Sequence, residues 1–108
     1  MKRSEFSKEE RELIKRIKTE YELFKYKMLS KTNIEIYDRC NIIRFYECIY
    51  EYFMYAEALN SNHINVCLKY ENVISVLYDL YLKYESLECS TWEDIEEILD
   101  ELMRKTNP

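Results

Sequence analysis

His63 and Cys67 stand four residues apart, a spacing that on a helix turns an imidazole and a thiol to the same side. Such a pair could be half of a zinc site, or the start of a Cys–His nucleophile. Glu47 and Glu51 repeat the spacing with carboxylates, as in one helix of a di-metal bundle. Neither constellation completes itself. No further ligand joins His63 and Cys67 at conventional spacing. A di-metal bundle needs Glu-x-x-His motifs on facing helices, and the only histidine is not so placed. No family signature surrounds a cysteine. Glycine is absent, which removes the phosphate-cradling loop and the dinucleotide-binding turn. The expectation is a protein without catalytic residues, metal or cofactor, hence not an enzyme, in which His63 is structural or exposed.

Charge carries more information. The stretch STWEDIEEILDELM, Ser90 to Met103, holds six acids and no base. Residues 1–31 are net +4 and residues 32–108 net −9, within a total of −5. From Glu85 to Glu101 the acids are Glu85, Glu88, Glu93, Asp94, Glu96, Glu97, Asp100 and Glu101, with no lysine or arginine among them. Glu93 and Asp94 suit the positive start of a helix, but Asp100 and Glu101 fall near its negative end, where the dipole disfavours them. A solvated face or a partner must account for those two. These eight acids, with Tyr78 and Tyr84 nearby, are the candidate contact surface for a basic protein surface, such as the channel of a nucleic-acid-binding effector. Lys8, Arg11, Lys15, Lys18 and Lys25 form a second, basic face. It supports the alternative of a small DNA-contacting regulator, as a dimer. The net negative charge argues against direct nucleic-acid binding.

The elements that must position these groups are all helices. Without glycine, and with one proline at position 108, tight hairpin turns have no residues to build them. The length fits one domain over 1–108, with residues 1–7 disordered. Ser7–Glu10, Thr32–Glu35 and Ser90–Glu93 read as capping boxes that open helices. The first helix runs to about Ser30, with Ile14, Ile17, Tyr21, Phe24 and Met28 as its apolar stripe. The second runs from about Asn33 to Leu59. It is apolar on most sides, including Ile34 and Tyr37, so it is expected to be central. Asn60–His63 is a turn, Ile64 to about Tyr70 a short helix, and Val73 to Tyr84 a longer one. The last helix buries Trp92, Ile95, Ile98, Leu99 and Leu102. The class is all-α, a compact bundle of four to five helices.

Among eleven tyrosines, Tyr46, Tyr50 and Tyr81 are expected in or beside the core. Tyr52, Tyr55, Tyr70, Tyr78 and Tyr84 are expected at the surface. Cys40, Cys48, Cys67 and Cys89 are expected to be reduced thiols, with no pairing legible from their spacing. The start MKRSEFSKEERE has no apolar run after its basic residues, and no stretch is apolar enough to span a membrane. The expectation is a cytoplasmic protein.

EYELFKYKML (Glu20 to Leu29), EIYDRCNIIRFYECIYEY (Glu35 to Tyr52) and NVISVLYDLYLKYESLECSTWEDI (Asn72 to Ile95) resemble a family of small helical proteins found mainly in Firmicutes and their mobile elements. The resemblance covers about Glu20 to Met103 and lies in helix patterning. It implies an accessory role in a phage or plasmid. By analogy with other small acidic proteins of such elements, it points to inhibition of a host CRISPR nuclease.

Overall fold

The computed structural model describes residues 7–56, 58–84 and 89–106. Among them the chain forms six helices and no strand: α1 (Lys8–Leu29), α2 (Asn33–Asp38), α3 (Cys40–Tyr55), α4 (Ser61–Cys67), α5 (Val73–Lys83) and α6 (Trp92–Thr106). No described residue has a positive φ, in keeping with a glycine-free sequence.

Six helices replace the expected four or five because the long second helix is two. It breaks at Arg39, whose φ of −106° and ψ of 16° leave the helical region. The segment Asp38-Arg39-Cys40-Asn41 is poor in helix formers, so little local energy holds the axis straight. Packing does not hold it either. Ile34 and Tyr37, expected among the buried residues, are exposed on α2. The second half, α3, packs on α1, α5 and α6, and buries Phe45, Ile49, Tyr52 and Phe53. α5 packs on α1, α3 and α6 as well, and buries Val73, Ile74, Leu77 and Leu80.

Two stacked aromatic pairs join α1 to α3: Tyr21 on Tyr50 at 4.3 Å and Phe24 on Tyr46 at 4.0 Å between ring centroids. The most deeply buried residues of α1 are Leu13 and Ile17. Leu13 lies beside the expected stripe because α1 also meets α4 and α5, which widens its buried face. α4 starts at Ser61, inside the expected turn. The Asn60 side chain caps it by accepting from the Asn62 N–H at 2.8 Å.

Polar residues of α1 then fix the corner between α4 and α5. Arg16 Nη1 donates to the carbonyls of Leu68 (2.8 Å) and Tyr70 (3.0 Å), where α4 has run out of amide partners. One turn on, the Glu20 carboxylate accepts from the N–H groups of Ile74 (2.8 Å) and Ser75 (2.9 Å). Asn72, the N-cap residue of α5, makes no side-chain cap itself, so Glu20 supplies that cap from another helix. Burial raises the Glu20 carboxyl above the usual carboxylate range, against the two amides that pull it down.

Replacing Glu20 with glutamine leaves one of the two N–H groups facing an amide nitrogen that cannot accept. The expected loss at neutral pH is about 1–2 kcal/mol, read by urea titration. The sign of the pH dependence follows from the raised pKa. Ionising Glu20 is harder in the folded chain, so the parent's margin over Glu20→Gln shrinks as pH rises from the ordinary glutamate value through the folded one. A margin that widens over that interval contradicts the burial.

Candidate interaction surface

Helix α6 is sharply two-sided. Ile95, Ile98, Leu99 and Leu102 face the core, and Glu93, Glu96, Glu97 and Asp100 face outward. The acids do not share one role. Asp94 is part of the helix cap. Its carboxylate accepts from the N–H and hydroxyl of Ser90 and from the N–H of Thr91, each at 2.9 Å, and Thr91 Oγ1 accepts from the Asp94 N–H. The capping box therefore runs from Thr91 to Asp94, one residue later than Ser90–Glu93. The hydrogen bonds from Ser90 and Thr91 hold the Asp94 carboxyl below the usual carboxylate range, so this cap weakens as pH falls through that lowered value.

Three further acids have partners within the chain. Glu96 Oε2 accepts from the Tyr52 hydroxyl at 3.3 Å. Glu101 pairs with Arg104. Asp100 Oδ1 lies 2.6 Å from His63 Nε2. His63 is only 5% exposed, and its Nδ1 has no hydrogen-bond partner. A carboxylate can only accept, so Nε2 carries the proton in this pair. Glu93 and Glu97 are the acids of α6 turned outward that make no side-chain hydrogen bond among the described residues. Glu85 and Glu88, also expected at the contact surface, lie outside the described residues.

The tyrosines divide partly as expected. Tyr46 is buried, and Tyr50 and Tyr81 are half-buried beside the core. Tyr78 and Tyr84 are half-buried rather than free at the surface. Tyr78 leans on Phe45 and Tyr81, and the Lys83 ammonium lies 5.7 Å from the Tyr84 ring centre. Tyr70 is half-buried too, its hydroxyl 2.7 Å from Thr106 Oγ1. Tyr52, expected outside, is 1% exposed: the face of α3 that carries it lies against α6, where Glu96 receives its hydroxyl. Tyr55 is exposed at 61%. Trp92, expected to be buried with Ile95, is 45% exposed. Trp92 begins α6, before the helix settles on its neighbours.

Residues distant in sequence meet beside Trp92. Cys48 of α3 and Cys89, just ahead of α6, line one cleft with Glu51 and Tyr55, the two thiols close enough to act on each other. Burial, with Cys48 beside it, raises the Cys89 thiol to about 12, and burial raises Cys67 to about 12 as well. Neither offers a thiolate near neutral pH, the form a nucleophile requires. His63 and Cys67 are both buried, and His63 is engaged by Asp100. Among the described residues no group of three or more His, Cys, Asp or Glu side chains is placed to hold a metal ion.

The basic face of α1 keeps Lys8, Lys15, Lys18 and Lys25 exposed, with the Lys25 ammonium 5.2 Å from the Tyr21 ring centre. Tyr26 and Leu29 near the end of α1, with Ile34 and Tyr37 of α2, expose apolar surface at the corner between the two helices. Among the described residues no helix is long and apolar enough to cross a membrane. Comparison with known families, curated proteins and solved structures finds none that matches this chain.

Proposed function

We propose that the protein is a non-enzymatic binding protein that presents the outer face of α6 to a basic surface on another protein. The observation that carries this reading is the division of α6. Its apolar residues are spent on the core, while Glu93, Glu96, Glu97 and Asp100 stand together in solvent, with Arg104 near Glu97 and Asp100 only at the far end of the face. Such a face draws in a positive partner and speeds its association, and it repels phosphate. Joined to the resemblance to small proteins of mobile elements, the reading sharpens to a phage or plasmid factor that occupies the basic, nucleic-acid-binding surface of a host nucleoprotein such as a CRISPR nuclease.

The test is affinity capture from host lysate, with and without nuclease treatment, using the parent and a Glu93→Lys/Glu97→Lys variant. Neither acid holds another part of the fold by a hydrogen bond among the described residues, so the variant is expected to keep the fold and to lose only the roughly 0.3–1 kcal/mol that an acid lends the first turn of a helix. The parent should retain a protein after nuclease treatment. The variant should bind it more weakly, by about tenfold for two charges at low salt, and the difference should narrow as salt rises. Equal binding by parent and variant refutes the reading.

A second reading rests on exposed Lys15 and Lys18 and on the apolar corner around Leu29 and Ile34: a dimer that contacts DNA through α1. It predicts duplex binding with a steep salt dependence that reversing Lys15 and Lys18 abolishes.

A further inference from the structure

The acidic face of α6 runs into a cleft with aromatic walls. Tyr52, Tyr55, Trp92, Glu93 and Glu96 line it, together with Ala56 and Ala58, around a volume of about 430 Å³. The rings of Tyr52 and Trp92 meet edge to face, 6.0 Å between centroids and 80° between planes. The Tyr52 hydroxyl donates to Glu96 and so holds that carboxylate at the cleft wall. Tyr55 and Trp92 are large rings left in water, although the core has taken most of the other apolar residues of α3 and α6.

This combination selects a class of ligand. Aromatic faces attract cations through the ring quadrupole, and carboxylates attract them directly. Among the described residues, no lysine or arginine lines the cleft to satisfy either. A metal ion would want three or more oxygen or sulfur donors, and no such group is present among the described residues. A nucleobase could stack on Trp92, but its phosphates would meet Glu93 and Glu96. A guanidinium fits every wall. It is flat enough to lie on a ring, weakly hydrated, and forked to meet a carboxylate with two N–H groups.

We propose that this cleft receives an arginine side chain of the partner protein. The inference rests on the reading of α6 as a protein-binding face, and it names the residue type that anchors the partner there. The acids of α6 steer the basic surface in, and the cleft grips one side chain of it. Most of the free energy of a protein interface is concentrated in a few such aromatic and arginine contacts.

The sequence contains one tryptophan, so intrinsic fluorescence reports on the cleft itself. The experiment titrates the full chain at low salt with a capped peptide of three arginines, and with its counterpart in which citrulline replaces each arginine. Citrulline keeps the shape and loses the charge. The arginine peptide should change the Trp92 emission saturably and the citrulline peptide should not. Tyr55→Ala and Glu93→Gln, both at exposed positions, should melt like the parent and weaken the response about fivefold each. An equal response to citrulline, or unchanged binding in both variants, overturns the proposal. Capture of the cellular partner separates the two readings. Retention by Tyr55→Ala with loss by Glu93→Lys/Glu97→Lys overturns the cleft and leaves the acidic surface standing. Retention by both overturns the surface as well.

Discussion

Replacing Phe53 with alanine is expected to lower the stability of the fold by about 3–5 kcal/mol, the cost of emptying an aromatic site in a close-packed interior. Phe53 is 0% exposed, on the face of α3 turned to the core. Its ring also meets Tyr52 edge to face at 5.2 Å, a contact that alanine cannot replace. A domain of this size holds roughly 5–15 kcal/mol in total, so the loss is a large share of it. Urea titration should move the midpoint strongly with little change of slope, since the unfolded chain exposes nearly the same surface. Partial collapse around the vacated site would bring the loss to the lower end of the range. A midpoint equal to the parent's would mean that α3 does not anchor the core.

Asp100→Lys should be the most damaging charge reversal on α6, at about 1–3 kcal/mol, because it strips a buried imidazole of its one hydrogen-bond acceptor. His63 already has an unpartnered Nδ1, and without Asp100 its Nε2–H also points at no acceptor. Asp100→Asn keeps an oxygen in place and should cost less. Glu97→Lys, one turn back on the outer face, should lie within about 0.5 kcal/mol of the parent. Asp100 looks expendable by exposure alone, since its side chain is 55% exposed. The cost falls on its partner, whose side chain is only 6% exposed. If Asp100→Lys and Glu97→Lys melt alike, the His63–Asp100 contact does not contribute to stability. The contrast also decides how the acidic surface is tested. Reversing Glu96, Glu97, Asp100 and Glu101 together would disturb the contacts to Tyr52, His63 and Arg104 along with the surface charge. Reversing Glu93 and Glu97 changes the charge and leaves those contacts in place.

Sequence alone determined the helical class, the limits of α1, the start of α5 at Val73 and the apolar face of α6 around Ile95, Ile98, Leu99 and Leu102. These rest on relations within three or four residues, where a capping oxygen reaches an amide one turn on and apolar side chains fall on one stripe. The Thr32–Glu35 box forms as read, with both reciprocal bonds present. Periodicity says much less about a helix that is apolar on most sides. For Ile34, Tyr37, Tyr52 and Trp92, what lies opposite decides burial, and the neighbours come from distant parts of the chain. The break of the long second helix at Arg39 combines weak local propensity with packing, since no described neighbour covers Ile34 and Tyr37 of α2. Tertiary structure alone brought Glu20 to the start of α5, His63 to Asp100, and Cys48 to Cys89, pairs separated by tens of residues and unmarked by any local spacing. The same packing left Tyr55 and Trp92 in solvent beside Glu93 and Glu96. The acids of α6 were legible as a charge run; Asp94 takes its cap role from Ser90 and Thr91 beside it, whereas the engagement of Glu96 and Asp100 follows from Tyr52 of α3 and His63 of α4.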